Sequence, residues 1–315
     1  MLSRVAESIY WIGRYAERAE NTARLVNLNM NLLLDMPKHA RPSWGNMVKI
    51  TGNGATFHER HSKDDERTVV RFLLIDKNNP GSMLNSLAMA RENARTVRDI
   101  IPQTAWEQLN FLHNMARDGA KLGVNRKNRY EYLEKVIRNA QTLNGLLSST
   151  MLHDSAYSFL RMGRSLERAD MTTRIIDELS SATVDDNPML EAENSLRWMG
   201  LLKTLSAYQM YRREMEVQVA RDPVLEFLMH CPTFPRSVLH CLNVVEECLG
   251  QLPRFKIPLD ATRAATKMVN AIKVENLDQT QLSQVIDDLQ LAMVEMHSSI
   301  SNVYFQFEES TSTAS

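Results

Sequence analysis

The sequence has few of the residues that interrupt helices or crosslink chains. Its 315 residues include 11 glycines, 10 prolines and 3 cysteines. This scarcity, with abundant leucine, alanine, arginine and glutamate, predicts helices rather than strands and turns. The three cysteines all lie between 231 and 248. An odd number in one stretch is a poor disulfide framework and suits a reducing cytoplasm.

Net charge and long apolar runs are also missing. The 37 basic and 38 acidic residues leave a formal net charge of -1, so no global field attracts nucleic acid or an anionic membrane. No apolar run reaches the roughly 20 residues that span a bilayer. Charges from Arg4 and Glu7 onward make the N-terminus unlike a signal peptide or an anchor. We therefore expect a cytoplasmic protein with neither nucleic-acid nor membrane partners.

One apolar stripe with alternating spacings of four and three residues runs through the first segment, which is typical of a long helix. Its members are Val5, Ile9, Ile12, Ala16, Ala19, Ala23, Val26, Met30 and Leu33. The stripe predicts a helix over about 3–35, and a second long helix follows over about 154–181. Loop-like sequence at about 36–66 predicts short helices and a mobile surface excursion. Further helices are predicted near 82–100, 102–122, 127–151, 189–219, 223–230, 234–251, 260–273 and 279–308.

The two long helices carry an internal repeat. A shift of 150 residues brings SIYWIGRYAERAENTARLV, starting at Ser8, onto SFLRMGRSLERADMTTRII, starting at Ser158. The identical pairs are Gly13/Gly163, Arg14/Arg164, Glu17/Glu167, Arg18/Arg168, Ala19/Ala169, Thr22/Thr172 and Arg24/Arg174, and Glu20 is matched by Asp170. This period is too long for a solenoid unit and indicates two helices in equivalent positions.

The expected fold is all-α, a multi-helix bundle whose two long motif-bearing helices are related by a pseudo-two-fold. We expect a single domain over 1–310 with halves of about 1–152 and 153–310. A frayed tail is expected at 311–315.

The repeated charges border the apolar stripe. Helical spacing places Gly13, Glu17, Glu20 and Arg24 on one flank and Arg14, Arg18 and Asn21 on the other. Pairing within the helix explains only part of this set, because Glu20 attracts Arg24 whereas Arg14 and Arg18 repel at the same spacing. Small residues in the stripe let another helix approach closely. The surplus charge must therefore meet another helix or a ligand.

Two interpretations of the motif remain open. In one, an interhelical salt-bridge lattice fixes the register of the helices. In the other, arginines bind an anionic ligand while glutamates handle protons or a cation. Burial of such pairs costs desolvation and is weak evidence for stability alone, which keeps the second interpretation open. The candidate catalytic residues are Glu17 and Glu167, and the candidate anion-binding residues on the motif helices are Arg14, Arg18, Glu20, Asn21, Arg24, Arg164, Arg168, Asp170 and Arg174.

The stretches WIGRYAERAENTARL and FLRMGRSLERADMTTRIID resemble the two Glu-Arg signatures of the bacterial Alpha-E family. Similar stretches are ARENARTVRDIIPQTAWEQLN (90–110), WMGLLKTLSAYQMYRR (198–213) and FPRSVLHCL (234–242), so the resemblance covers most of the chain. It implies an all-helical protein, typically encoded beside a circularly permuted ATP-grasp protein and a transglutaminase-like protein. It also implies a part in a proposed peptide or amide-bond-forming system, without an established catalytic mechanism.

Arginines outside the repeat extend the set of candidates. Arg91 and Arg95 lie on a second Arg-rich segment that belongs to the resemblance, and they are either a solvated face or anion-binding groups. Further donors that could line the same cavity are Lys203, Tyr208, Tyr211, Arg212, Arg213 and Arg236.

Metal and nucleotide motifs are missing. The His-Cys pairs at 230–231 and 240–241 lack the tight ligand spacing of zinc sites, and no Glu-x-x-His pair suits a di-iron bundle. No Walker-type, dinucleotide-binding or nucleophile-elbow motif occurs. We therefore expect no obligatory metal or cofactor.

The leading hypothesis is an accessory or substrate-handling protein of an ATP-grasp-linked peptide or amide-bond-forming system. Its Arg/Glu faces would bind an anionic substrate or the ligase partner. The expected partners are the circularly permuted ATP-grasp protein and a transglutaminase-like protein. Two alternatives stay open: an enzyme that uses Glu17 and Glu167 as acid/base groups, and a purely structural scaffold with an internal salt-bridge network.

Overall fold

The computed structural model describes residues 1–35, 43–181, 191–215 and 218–306. Over these ranges the regular structure is helical without any strand, which confirms the all-α prediction. A 3-10 turn occurs at Val274–Asn276. The helices are α1 (Ser3–Asp35), α2 (Trp44–Ile50), α3 (Gly54–His58), α4 (Glu66–Ile75), α5 (Met83–Thr96), α6 (Gln103–Asp118), α7 (Ala120–Val124), α8 (Arg129–Thr150), α9 (Ser155–Ser181), α10 (Glu191–Thr204), α11 (Tyr208–Met215), α12 (Arg221–His230), α13 (Val238–Gly250), α14 (Lys256–Ala271) and α15 (Gln279–Tyr304).

Helix α1 lies at the centre of the bundle and packs along α9, α5 and α8. The apolar stripe explains this position, because a 33-residue helix, about 50 Å long, needs neighbours along its length to bury such a face. Ile9, Ala19 and Val26 are completely buried. Helices α13 and α15 pack on α9 and carry α14 between them.

The two repeated helices cross at their glycines. A methyl group on Gly13 would overlap the backbone carbonyl of Leu160, and one on Gly163 would overlap the carbonyl of Tyr10. The 150-residue shift exchanges the partners of these two contacts, so α1 and α9 cross as a local pseudo-two-fold pair. Because glycine lacks Cβ, the two backbones approach more closely than other residues would permit.

The described part of the segment before α5 is more buried than the sequence predicted. The expected short helices occur as α2 and α3, and Met47 and Phe57 lie in the core. Residues 59–66 are largely exposed and 36–42 fall outside the described residues, so the mobile surface excursion stays a prediction. Helix α4 adds buried Val69 and Leu73. These apolar residues occur in runs too short for their periodicity to separate a buried helix from a loop.

The remaining predictions are partly corrected by the structure and partly concern residues outside the described ranges. The helix expected over 189–219 is divided into α10 and α11, because Ser206 adopts a left-handed backbone with φ of 53°. The connection expected at 181–188 and the frayed tail at 311–315 fall largely or wholly outside the described residues. The single-domain prediction stays a prediction. No helix among those described is long and apolar enough to cross a membrane.

Candidate functional site

The Glu-Arg motifs pair reciprocally across the α1/α9 crossing. Arg18 donates from Nε and Nη2 to the two carboxylate oxygens of Glu167, at 2.6 and 2.9 Å. Arg168 makes the equivalent bidentate contact with Glu17, at 2.9 and 2.7 Å. The four residues exchange under the 150-residue shift, so the repeat is a repeat of contacts as well as of sequence.

On one face of the crossing, buried charged and polar side chains bond to one another and form what we call the buried network: Glu17, Glu20, Asn21, Arg168 and Arg236. Arg236, from the turn before α13, donates to Glu17, Asn21 and Glu20 at 2.8, 2.9 and 3.0 Å. Burial alone would raise the pKa of Glu17, but the adjacent guanidinium groups outweigh it and hold that pKa well below its usual range. The carboxylate is therefore ionised and already saturated with donors.

Neighbouring side chains complete this face. Arg24 donates to Glu20 one turn earlier on α1, at 2.7 and 2.9 Å, and reaches Ser206 with Nη1. Asn21 accepts a hydrogen bond from Arg236 and therefore lies on the same face of the crossing as Glu17. Its helical spacing had predicted a position on the flank of Arg14 and Arg18. Its Nδ2 is buried without a partner in the structure described.

The opposite face of the crossing opens into a cavity of about 420 Å³, which we call the Arg pocket. Its charged lining comes from both motifs: Arg14 and Arg18 on α1, and Glu167, Asp170 and Arg174 on α9. Three guanidinium groups therefore face two carboxylates in one solvent-accessible space. A purely structural scaffold would close its charges on one another, as the buried network does, whereas the Arg pocket leaves them beside an accessible cavity.

Internal pairing does not use all the donors of the Arg pocket. Glu167 accepts from Arg18 and from Arg14 Nε at 2.8 Å, and Arg174 Nε donates to Asp170 at 3.0 Å. Within the described residues, Arg14 Nη2, Arg18 Nη1 and both Nη atoms of Arg174 lack a protein acceptor. Burial would raise the pKa of Glu167, but its two arginine partners lower it, so the carboxylate stays ionised near neutral pH.

Two turns form the outer wall of the Arg pocket. Thr51, Gly52 and Asn53 follow α2, and Pro80 with Gly81 precedes α5. Gly52 has a φ of 70°, and a side chain there would meet Arg174 Nη1 at 3.1 Å. Glycine is thus required both by the backbone and by the guanidinium beside it. The sequence had marked this TGNG stretch only as a loop.

Helix α15 contributes a histidine that the sequence analysis missed. His297 lines the Arg pocket and stacks on Tyr10, whose hydroxyl lies 3.0 Å from His297 Nδ1. Burial raises the pKa of Tyr10, so the phenol keeps its proton. Burial and the neighbouring Arg14 lower the pKa of His297 to about 4, so the ring is neutral near neutral pH. A lone histidine on an amphipathic helix gave no sequence signal.

The remaining candidates lie away from the Arg pocket. Arg91 donates to Asn110 and lies 5.8 Å from the Trp106 ring centroid, while Arg95 is exposed and pairs with Glu92. Neither lines the Arg pocket, so the predicted second Arg-rich face is not part of this site. Arg164, the repeat mate of Arg14, has a buried Nε without a partner in the described structure, so the contact that Arg14 makes with Glu167 is not repeated at Glu17.

The other suggested donors also stay apart from the Arg pocket. Only Arg236 meets the motifs, through the buried network. Tyr211 is buried and its hydroxyl donates to the Gln218 carbonyl at 3.0 Å. Among the residues the structure describes, no group of three or more His, Cys, Asp or Glu side chains could hold a metal ion. The expectation of no obligatory metal or cofactor stays a prediction.

Comparison with known proteins identifies this architecture. The model of the Alpha-E family, described as a predicted alpha-helical domain with a conserved ER motif, matches residues 1–305. The chain belongs to the Alpha-E family. The repeat of this chain carries two Glu-Arg dipeptides, Glu17-Arg18 and Glu167-Arg168, which pair across the helix crossing.

Two mycobacterial proteins described as uncharacterised are similar to this Alpha-E protein. Proteins of Mycobacterium bovis and Mycobacterium tuberculosis are each 22% identical to it over 325 residues, covering 95% of this chain. That match covers 36% of each relative, so the chain spans about a third of their length. No solved structure matches the chain.

Proposed function

We propose that this Alpha-E protein is a substrate-handling component that holds an anionic group of its ligand in the Arg pocket. The supporting observation is the set of guanidinium nitrogens on Arg14, Arg18 and Arg174 that keep no protein acceptor within the described residues. Guanidinium groups with free donors can form paired hydrogen bonds with two oxygens of a carboxylate or a phosphate. The pocket is open to solvent, so such a group can enter.

Contacts within the protein fix the orientation of these donors without a ligand. Arg14 and Arg18 are fixed by the buried Glu167, which is 3% exposed. Arg174 is held by Asp170 and lies beside the glycine turn. Preorganised donors lose less conformational entropy on binding than free surface arginines do.

An acid/base enzyme receives less support from this geometry. Glu17 is completely buried and bonded to Arg168 and Arg236, so no ligand in the Arg pocket can reach its proton-accepting oxygens. Glu167 lines the pocket, but its arginine partners lower its pKa, which suits a fixed anion rather than a proton donor. We therefore favour binding and presentation over turnover by these two groups.

At the level of the whole system, we propose that the protein serves an ATP-grasp-linked peptide or amide-bond-forming pathway. The support is the family membership and the genomic neighbours which the family resemblance implies. A circularly permuted ATP-grasp protein would consume the ligand held in the Arg pocket, and a transglutaminase-like protein is a further candidate partner. Copurification with the ATP-grasp protein in the presence of nucleotide tests this level. Failure of the two folded proteins to associate at micromolar concentration would overturn it.

Ligand binding is tested with four anions: inorganic phosphate, glutarate, L-glutamate and O-phospho-L-serine. Calorimetric titration or ligand-observed NMR should detect binding of at least one. Arg174→Gln removes free donors at modest structural cost, because Arg174 and Asp170 are both partly exposed. Arg161→Gln is the matched control, since it makes the same change on α9 outside the pocket. Binding that Arg174→Gln leaves unchanged, or no binding at millimolar concentration, would overturn the proposal.

A further inference from the structure

The internal repeat gives the Arg pocket a counterpart whose occupant is visible. The 150-residue shift maps Glu167 and Asp170 of the pocket onto Glu17 and Glu20 of the buried network. On the buried face, the guanidinium of Arg236 bridges the two carboxylates, with Nη1 2.8 Å from Glu17 Oε1 and Nη2 3.0 Å from Glu20 Oε1. The equivalent point in the pocket lies between Glu167 and Asp170.

The carboxylate oxygens of Glu17 and Glu167 correspond one to one. Glu17 Oε1 accepts from Arg168 Nε and from the bridging Arg236. Glu167 Oε1, its repeat mate, accepts from Arg18 Nε alone in the structure described. The second arginine at Glu167, Arg14, donates to the other oxygen, Oε2. The position that Arg236 fills on the buried face is therefore still free on the pocket face.

Asp170 presents a second acceptor at this point. Its Oδ2 accepts from Arg174 Nε, while Oδ1 has no donor within the described ranges. Glu20, its repeat mate, uses Oε1 for both Arg24 and Arg236, so the two faces match here by residue rather than by oxygen atom, and Oδ1 is the acceptor that Asp170 leaves free. The pocket thus combines free donors on its arginines with free acceptors on its carboxylates.

We propose that the ligand of the Arg pocket is a zwitterion whose ammonium group lies between Glu167 Oε1 and Asp170 Oδ1. This inference rests on the proposed function, which supplies the anionic half of the ligand. The arginines hold that anionic group, and the ammonium takes the place that Arg236 takes on the buried face. The ligand class is an amino acid, or a molecule ending in one, with a carboxylate or phosphate within a few bonds of the amine.

Differences between the two faces favour a primary ammonium over a larger cation. Asn21, which accepts from Arg236, is replaced in the repeat by Met171, so the pocket offers two oxygen partners rather than three. An ammonium is a compact charge with three donors, whereas a guanidinium is a wide planar fork. The guanidinium groups of Arg14 and Arg18 would repel a divalent metal ion at the same point.

Matched ligand pairs that differ at the amine test the inference. L-glutamate is compared with glutarate, and O-phospho-L-serine with 3-phosphoglycerate, by calorimetric titration of the full chain. We expect the member with the ammonium to bind at least about tenfold tighter in one pair or both, as for a hydrogen-bonded charge. Asp170→Asn should abolish most of that preference, measured as the ratio of the two affinities within a pair, because any loosening of Arg174 weakens both members of the pair alike. Circular dichroism checks that the variant is folded.

The outcomes separate this inference from the proposed function. Equal affinity within both pairs, with binding still weakened by Arg174→Gln, would overturn the ammonium site and leave the anion pocket standing. A preference for the amine that Asp170→Asn does not reduce would place the ammonium elsewhere and also overturn it. No detectable binding of any of the four ligands would overturn both proposals.

Discussion

The close crossing of α1 and α9 predicts that a single methyl group at Gly163 destabilises the protein. Alanine normally favours a helix over glycine by about 1 kcal/mol. At Gly163, however, the new Cβ would overlap the carbonyl of Tyr10, which belongs to the backbone of a packed helix and cannot rotate away. Overpacking a core typically costs about 1–3 kcal/mol, and a backbone obstacle places this case at the upper end. The expected net loss is about 1–2 kcal/mol.

Glycine 145 provides the matched control, because a methyl group there meets no atom within 4 Å. Gly145→Ala in α8 should therefore stabilise the protein by about 0.5–1 kcal/mol, the opposite sign. Urea unfolding followed by far-ultraviolet circular dichroism gives both values. Gly13→Ala should resemble Gly163→Ala, and the double variant should cost less than the sum because both are relieved by the same separation of helices. A Gly163→Ala protein as stable as Gly145→Ala would refute the crossing geometry.

Three further predictions follow from the charged groups. Glu17→Gln leaves Arg168 without its buried counter-charge and removes one of the two that face Arg236. It should cost about 3–5 kcal/mol in urea unfolding, and a loss under 1 kcal/mol would contradict the buried network. The pKa of His297 is lowered from 6.5 to about 4, so on acidification the histidine takes up its proton in the unfolded chain first. The free energy of unfolding should therefore fall as the pH drops from about 6.5 to about 4. His297→Gln should flatten the dependence of that free energy on pH over this range. Arg95→Gln removes an exposed pair and should change stability by less than about 0.5 kcal/mol, as a thermal melt would show.

The long helices were predictable because their pattern is local. The four-and-three spacing predicted α1 over 3–35, and the structure has Ser3–Asp35. The second long helix, expected over 154–181, is Ser155–Ser181. The repeat also indicated two helices in equivalent positions, with small residues at their approach. These features depend on residues within a few turns of one another, which a sequence displays directly.

The partners of the charges were not predictable in the same way. Whether Glu17 and Glu167 faced a pocket or a closed network depended on which side of the crossing each would occupy. Glu17 lies in the closed network and Glu167 lines the pocket, because Arg236 reaches the Glu17 side of the crossing from a turn 219 residues away in the sequence. A turn has no periodicity that would place its side chain. For the same reason, the glycine turn at Gly52 could be recognised as a turn but not as a pocket wall.

A crystal structure with O-phospho-L-serine bound tests the central claim most directly. We predict the ligand in the Arg pocket, with an anionic group about 3 Å from the free Nη atoms of Arg174 and at least one of Arg14 and Arg18. Its ammonium is predicted at Glu167 Oε1 and Asp170 Oδ1. Saturating ligand bound elsewhere on the protein, with the Arg pocket holding only water, would contradict the account.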